Sequence, residues 1–300
     1  MRIKQDWLEY LHQLRVREIE IIFRRCPPNA FAQGLELGAG DGFQSTLLTQ
    51  WVSQLVCTDY NGSGLTLQNT TRIQYRVCDA EYVGSMFQPK QFDLVFSSNM
   101  LEHVPRPRVV LEGTCKVLAD DGITIHVMPT PFWKLTWLVL YHADLVIQAL
   151  ELITENDGRS QFWGRVGKIL GTSNDGPTEE PSKGNNPKTA RRKRSRLLSL
   201  AVPEPHGVSS NNLAEFFAFR KSRWVKEFER AGLDVVVVLK GPVTSGHGFG
   251  LDALRALLER MGFASENVYI AIKKGSCSPF VPYFHESCPV IPHNADHQHR

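Results

Sequence analysis

The chain has 300 residues, of which 42% are hydrophobic and 22% are charged, and its formal net charge is +3. This length allows one large domain or two small ones, and the composition is that of an ordinary globular protein. The near balance of charge does not favour a nucleic-acid-binding protein, whose phosphate contacts require a concentrated basic face. We therefore expect no nucleic-acid partner.

The N-terminus, from Met1 to Glu20, carries charges throughout and has no apolar segment followed by a small-residue cleavage site. It is therefore not expected to be a signal peptide. Six cysteines form no CxxC pair, and the spacing typical of metal ligands is absent. We expect reduced thiols, no bound metal and a cytoplasmic location. The cysteines are Cys26, Cys57, Cys78, Cys115, Cys277 and Cys288.

The first predicted element is an amphipathic helix over about residues 4–24, which Cys26-Pro27-Pro28 ends. After it, short apolar runs alternate with helical patterns, one following Gly42 and one covering Val109–Leu118. Such alternation predicts an α/β fold with a doubly wound, mostly parallel sheet that helices cover on both faces. The candidate strands are Gly34–Leu37, Leu55–Thr58, Ile73–Val77, Phe92–Ser97 and Ile123–Met128.

The pattern changes after Met128. Residues 132–153 are rich in Trp, Leu, Val and Ile, whereas residues 171–188 are mainly Gly, Ser, Asn, Pro and charged residues, which predicts a mobile insertion. Regular structure is expected to resume with a helix over 212–231, a strand over 235–239, a helix over 251–261 and a strand over 268–272. The predicted segments are an N-terminal helix (1–28), a core (29–131), an insertion (132–205), the rest of the core (206–275) and a loosely held tail (276–300).

The most informative motif is the glycine-rich turn Gly34-Leu35-Glu36-Leu37-Gly38-Ala39-Gly40-Asp41-Gly42, between a predicted strand and a predicted helix. Glycine permits a tight turn and the close approach of a ligand to the backbone, and the helix N-terminus favours an anionic group. A dinucleotide-binding turn would have its third glycine one position later, where Phe43 stands. The carboxylate of Glu36 also favours a ligand with an ammonium or sulfonium group. The motif therefore favours S-adenosyl-L-methionine over a dinucleotide.

Acidic residues follow the next two predicted strands. Asp59 lies 17 residues after Gly42, at the end of the second strand, where a carboxylate can accept both hydroxyls of a ribose. Tyr60 is placed to stack on adenine, and Asp79, after the third strand, to accept the adenine amino group. The alternative for Asp59 is an ordinary turn aspartate, which its spacing from the glycine turn disfavours.

In this order the motifs resemble those of class I S-adenosylmethionine-dependent methyltransferases, in particular the small-molecule type of ubiquinone and menaquinone biosynthesis. The matching segments are Leu35-Glu36-Leu37-Gly38-Ala39-Gly40-Asp41-Gly42, Thr58-Asp59, Asp79-Ala80, the run from Phe92 to Val104 and the turn from Val117 to Gly122. The resemblance implies a Rossmann-like core over 29–131 and a seven-stranded sheet whose antiparallel last strand is the run over 268–272. There are departures from the family: Ser98 stands where many members have Asn, and Ala119-Asp120-Asp121-Gly122 replaces the commoner Lys-Pro-Gly-Gly.

The resemblance also assigns roles to residues. It implies that Glu36, Gly38 and Gly40, with Gly42 closing the turn, hold the methionine end of the cofactor. Asp59 would bind the ribose. The adenine would contact Tyr60, Asp79 and Ala80, and Ser97 and Ser98 would line the cofactor at the end of the fourth strand.

Histidines are the candidate bases. Methyl transfer is an in-line displacement at a sulfonium carbon, which requires a base only when the nucleophile is a protonated hydroxyl or amine. His103, next to the expected cofactor position, and His206, at the return from the insertion, are the candidates. A structural role at a helix start or a turn is the alternative for each. His126 in a buried strand and His247 in a glycine-rich loop are predicted to be structural.

The insertion bears on the acceptor. Charged residues interrupt the apolar stretch over 132–153, so it is not expected to span a membrane. A lid helix is one interpretation, and an interfacial helix or pocket wall for a lipid-linked acceptor is the other. The basic run over 191–196 is expected to be a solvated flank, with contact to an anionic membrane or a substrate phosphate as the alternative.

The sequence thus predicts a methyltransferase that acts on a small-molecule or lipid-linked acceptor, with oxygen as the favoured nucleophile and possible peripheral membrane contact. A second hypothesis is a catalytically inactive methyltransferase fold that serves as a binding or scaffold protein. Intact glycines and Asp59 argue against it. A nicotinamide-dependent oxidoreductase is the third hypothesis, and Phe43 disfavours it.

Overall fold

A computed structural model describes residues 7–61, 69–154, 205–244, 248–249 and 251–285. The chain divides into two compact units, one made of Met1–Thr136 with Pro205–Arg300 and the other of Trp137–Glu204. The predicted mobile stretch over 171–188, the basic run over 191–196 and His247 lie outside the described residues, as does the tail after residue 285.

The first unit contains a seven-stranded sheet in the order β3-β2-β1-β4-β5-β7-β6. β1, β2, β3, β4 and β5 are parallel, and β7 is antiparallel to both β5 and β6. This arrangement confirms the predicted doubly wound α/β fold with an antiparallel last strand. The strands are β1 (Phe31–Leu37), β2 (Val52–Asp59), β3 (Ile73–Val77), β4 (Phe92–Ser98), β5 (Leu118–Pro129), β6 (Leu233–Lys240) and β7 (Glu266–Lys273).

Helices connect the strands, and short 3₁₀ turns lie at Ala80–Tyr82, Leu101–His103 and Val281–Phe284. Within the described part of the chain, no helix is both long and apolar enough to cross a membrane. The helices are α1 (Trp7–Phe23), α2 (Phe43–Leu48), α3 (Val83–Met86), α4 (Pro107–Val117), α5 (Pro131–Thr154), α6 (Asn212–Ala218), α7 (Lys221–Arg230) and α8 (Asp252–Arg260).

The helix predicted over 212–231 is two helices, α6 and α7. Phe219 is buried between them, and Arg220 adopts an extended conformation that breaks the hydrogen-bond ladder. The apolar spacing continues across the break, which is why the sequence pattern did not reveal it. The start of the predicted loose tail also differs, because Phe284 is buried and Phe280 packs against Phe31.

Apolar side chains pack on both faces of the sheet. On one face α1 contributes Ile19, Ile22 and Phe23 to a core with β4, β5 and β7. The other face is covered by α4 and α7, which bury Leu111 and Trp224. Because both faces are covered, the central parallel strands are continuous apolar runs rather than alternating ones. The carboxyl ends of parallel strands are where such sheets place ligands.

One core histidine makes stability depend on pH. His126 on β5 is fully buried, with its two ring nitrogens 2.7 Å from the hydroxyls of Ser97 and Thr124. Burial lowers the pKa of His126 to about 3 from the ordinary 6.5. The unfolded chain therefore takes up this proton below pH 6.5 while the folded protein does not, and stability falls as the pH falls from 6.5 towards 3.

Within that window we expect this histidine to lower the free energy of unfolding by about 1.4 kcal/mol for each unit by which the pH falls. Denaturant unfolding of the wild type and of His126→Gln at pH 7 and pH 5 measures the contribution. Gln cannot be protonated, so the variant should show a smaller pH dependence whatever its absolute stability. Equal pH dependences in the two proteins would contradict the prediction.

Candidate functional site

The glycine turn after β1 is tied to the neighbouring strand and open to a ligand. Gly38 and Ala39 donate their N–H groups to the carbonyl of Thr58 on β2, at 2.8 and 2.9 Å. Gly38 has φ of +77°, and a Cβ there would lie 2.6 Å from Cγ of Met100. Gly40 has φ of +57° and would meet nothing within 4 Å. Side chains are thus excluded at the first position by sterics, while the second borders free space.

Asp59 is the carboxylate that faces this turn. Its Oδ2 accepts the Gly40 N–H at 2.9 Å, and its Oδ1 accepts the N–H of Asn61 at 3.0 Å. Each carboxylate oxygen has a second lone pair, so two further donors can be bound. The structure therefore brings together the glycine turn and the acid at the end of β2, as the sequence predicts.

A crevice of about 470 Å³ opens between these two elements and the turns after β3 and β4. Ligand sites in proteins are commonly about 300–1,000 Å³. Tyr60 is 79% exposed at its rim. Asp79 and Ala80 line it, with the Asp79 side chain also accepting the N–H of Glu81 at 3.0 Å. The crevice is lined by Gly38, Asp59, Tyr60, Cys78, Asp79, Ala80, Glu81, Met100, His103, Val104 and Pro105.

Glu36 lies in the buried end of β1, one residue before Leu37 and the glycine turn. Its side chain is 2% exposed and accepts the hydroxyl of Ser45. Burial raises the pKa of Glu36 to about 7, although Ser45 and the more distant Arg15 act in the opposite direction. A buried carboxylate of this kind is stabilised by a cation placed beside it. The group therefore fits the ammonium and sulfonium charges of the predicted cofactor.

Polar side chains of α1 reach the same edge of the sheet, which the sequence analysis did not predict. Arg15 Nη1 donates to Ser98 Oγ and to Glu18 Oε2, both at 2.7 Å, and Gln44 donates to Glu18 Oε1 at 2.6 Å. His12 stacks on Phe43 with ring centroids 3.8 Å apart. His12, Arg15 and Glu18 lie on the polar side of the amphipathic helix α1. In a sequence, a polar helix side predicts only that its residues face solvent.

The two serines after β4 have different surroundings. Ser98 is half-buried and takes part in the network with Arg15, so it lies at the edge of the site. Ser97 is fully buried, and its hydroxyl lies 2.7 Å from Nδ1 of His126. This contact places Ser97 in the core rather than at the crevice wall. Successive side chains of a strand point to opposite faces, so only one of two adjacent serines faces the site.

The two predicted histidines lie together, with His103 lining the crevice and His206 against it. The rings of His103 and His206 have centroids 4.8 Å apart, and His206 also contacts the Trp133 ring at 4.9 Å. Burial lowers the pKa of His103, and burial together with the neighbouring His103 lowers the pKa of His206 to about 4. Both rings are therefore neutral at pH 7 and can accept a proton.

Glu102 lies beneath the histidine pair. Its Oε1 is 3.8 Å from His103 Nε2, and its two oxygens make no hydrogen bond within the described part of the chain. Burial raises the pKa of Glu102 to about 8. Possible ligand atoms of Glu102, His103 and His206 all lie within 4.8 Å of one another. Two ligand atoms of a tetrahedral zinc ion lie roughly 3.4 Å apart, closer than this group, so we assign no metal to it.

Comparison with known proteins identifies the family of this region. Residues 35–126 match the family model described as a methyltransferase domain. A ubiquinone biosynthesis O-methyltransferase of Albidiferax ferrireducens is 30% identical over 119 residues, which cover 37% of this chain and 46% of that protein. The corresponding enzyme of Xanthomonas axonopodis pv. citri is 28% identical over 118 residues, covering 37% and 48%. The chain thus spans about half the length of the curated relatives it matches.

A solved S-adenosylmethionine-dependent methyltransferase from Mesorhizobium loti is 14% identical, with a TM-score of 0.44 over 82% of this chain and 92% of that one. The family match confirms the predicted family, whose cofactor is S-adenosyl-L-methionine. We conclude that residues 35–126 of this chain match a methyltransferase domain, the class of domain that the sequence motifs predict.

Proposed function

We propose that the protein transfers a methyl group from S-adenosyl-L-methionine to a small-molecule or lipid-linked acceptor, with an oxygen atom as nucleophile. One observation carries the proposal. His103 lines the same crevice as Gly38 and Asp59, so a base and the cofactor-binding residues face one space. The matched relatives, named as O-methyltransferases, support oxygen as the nucleophile.

In this proposal the residues that line the crevice and their neighbours in the glycine turn and in β1 and β4 bind different parts of the cofactor. Gly38 and Gly40, with Gly42 at the start of α2, would place the backbone against the methionine part, and Glu36 would balance its positive charge. Asp59 would accept the ribose hydroxyls. Tyr60, Asp79 and Ala80 would contact the adenine, with Asp79 as acceptor for its amino group. Ser98 would border the methionine part beside Arg15.

The cofactor supplies a methyl group bonded to a positively charged sulfur. The protein's own part is to orient the acceptor and remove its proton. In this proposal His103 accepts the hydroxyl proton as the acceptor oxygen bonds to the methyl carbon. The carbon–sulfur electrons stay on sulfur, and S-adenosylhomocysteine leaves. His206, which contacts His103, is the second candidate for the proton.

Apolar side chains exposed on and beside α8 support an acceptor that resides in lipid, and peripheral contact with a membrane. Leu254, Leu257 and Met261 are each about half exposed or more, and Phe263 stacks on Phe132 with centroids 4.8 Å apart. Large contiguous apolar patches on a protein surface mark interaction sites, and we take these neighbouring side chains as part of such a patch. The proposal places the protein in the cytoplasm and gives it no nucleic-acid substrate.

Methyl-labelled cofactor and a cell extract test the acceptor class. We expect label in the lipid or small-molecule fraction after separation into lipid, sugar, protein and nucleic-acid pools. Protein carrying Asp59→Asn is the control and should label none of them. Label found only in protein or nucleic acid would contradict the acceptor assignment. S-adenosylhomocysteine binding without label in any pool would instead support an inactive, scaffold-like methyltransferase fold.

A further inference from the structure

The segment Pro205–Val208 crosses the turn that carries His103. Val208 donates its N–H to the carbonyl of Glu102 at 3.3 Å. A Cβ on Gly207 would lie 2.6 Å from that same carbonyl oxygen, so only glycine permits this approach. His206 belongs to this segment and is thereby brought against the rings of His103 and Trp133.

A buried ion pair lies directly behind the segment. Glu215 on α6 and Lys134 on α5 contact each other, and both side chains are 0% exposed. The other oxygen of Glu215, Oε1, accepts the N–H of Gly207. One carboxylate thus joins the first turn of α5, helix α6 and the segment that carries His206.

Stability alone does not explain such a pair. Removing two charges from water costs several kcal/mol per ion, and hydrophobic residues of similar volume are often equally stable or more stable. What a hydrophobic pair would not provide is an acceptor for the Gly207 N–H. Gly207 is half-buried, and its N–H would need water in place of the lost acceptor, so the segment would shift from this position. The carboxylate therefore has a specific consequence for the place of His206.

We propose that Glu215 is a positioning residue of the methyl-transfer site, which holds Gly207 and thereby keeps His206 against His103. The inference rests on the proposed function, because it takes the histidine pair to supply the base for methyl transfer. Glu215 lies outside the crevice lined by Gly38 and Asp59, so cofactor binding does not depend on it. The charged and titratable groups that face His206 are Glu102, His103, Glu215 and Lys134.

Two matched double variants test the inference without leaving a buried charge unpaired. Lys134→Met with Glu215→Gln keeps an acceptor for the Gly207 N–H, whereas Lys134→Met with Glu215→Leu removes it. We expect kcat of the Leu variant to be about tenfold or more below that of the Gln variant, because a misplaced base loses part of the factor of about 10²–10⁴ that a base contributes. Affinity for S-adenosylhomocysteine, measured by calorimetry, should be the same in both and shows that each is folded.

NMR titration of the histidines provides a readout that does not depend on turnover. In the Gln variant the pKa of His206 should stay low, because the ring keeps its contacts with His103 and Trp133. In the Leu variant it should rise towards about 6.5, the value of a solvated histidine. Equal kcat and equal His206 pKa values in the two variants would overturn the inference. If the wild type methylates no acceptor, the proposed function fails, while the titration still decides whether Glu215 positions His206.

Discussion

Replacing Asp59 by Asn is expected to weaken S-adenosylhomocysteine binding by at least about 100-fold. Each hydrogen bond to a charged acceptor contributes about 1.5–3 kcal/mol, and the Asp59 carboxylate can accept two ribose hydroxyls. Every 1.4 kcal/mol is a factor of ten in affinity. Because Asn carries no charge, both hydrogen bonds to the ribose become weaker or are lost, which corresponds to about 100-fold in affinity. Asn has the same shape and retains one oxygen for the Gly40 N–H, so the glycine turn should keep its place.

Asp120→Asn is the matched control. Asp120 lies near the amino end of β5, whereas the glycine turn lies at the carboxyl end of β1. Its side chain is exposed and pairs with Lys90 and Lys273 at 2.6 and 3.0 Å. The same chemical change there should leave the affinity unaltered. Titration calorimetry of both variants measures the difference. If Asp59→Asn binds as tightly as Asp120→Asn, the crevice beside the glycine turn is not the cofactor site.

The largest effect on stability is expected from Lys134→Met alone. It leaves the carboxylate of Glu215 fully buried without its cation, and breaking a buried ion pair in this way costs about 3–5 kcal/mol. Adding Glu215→Leu removes the stranded charge as well. The double variant should therefore recover most of the lost unfolding free energy, even though it is the variant expected to lose catalytic activity.

Denaturant unfolding of wild type, single and double variants measures these differences. We expect the wild type and the double variant to have a higher free energy of unfolding than Lys134→Met alone. Burial lowers the pKa of Lys134. If the lysine were neutral in the folded protein, it would not balance the charge of Glu215. In that case the single variant would be no less stable than the double one, and the expectation would be contradicted. The separate outcomes for stability and activity make the two roles of the pair distinguishable.

Local patterns predicted which strand ends meet at the glycine turn. The glycine turn, Asp59 and Asp79 follow strands whose carboxyl ends meet at one edge of a parallel sheet, so their proximity follows from topology. The same argument cannot tell which of two adjacent serines faces the crevice. Ser97 and Ser98 were both predicted to line the cofactor, and the strand's alternation places Ser97 against His126 in the core.

The break between α6 and α7 illustrates another limit. Apolar residues continue at helical spacing from residue 212 to residue 231, so the pattern predicts one helix. Phe219 is buried at the point where the chain turns, and tertiary packing there overrides the local preference. Helix periodicity records which residues are apolar but not whether they face the same partner.

The sequence by itself determined the order of the strands and helices, the strand ends that carry the glycine turn and Asp59, and hence the class of cofactor. Only the tertiary structure decided what surrounds the histidines, because Lys134, Glu215 and His103 are brought together from distant parts of the chain. Short-range patterns record backbone preference and burial. The electrostatics of a buried group depends instead on every charge that packs around it, whatever its position along the chain.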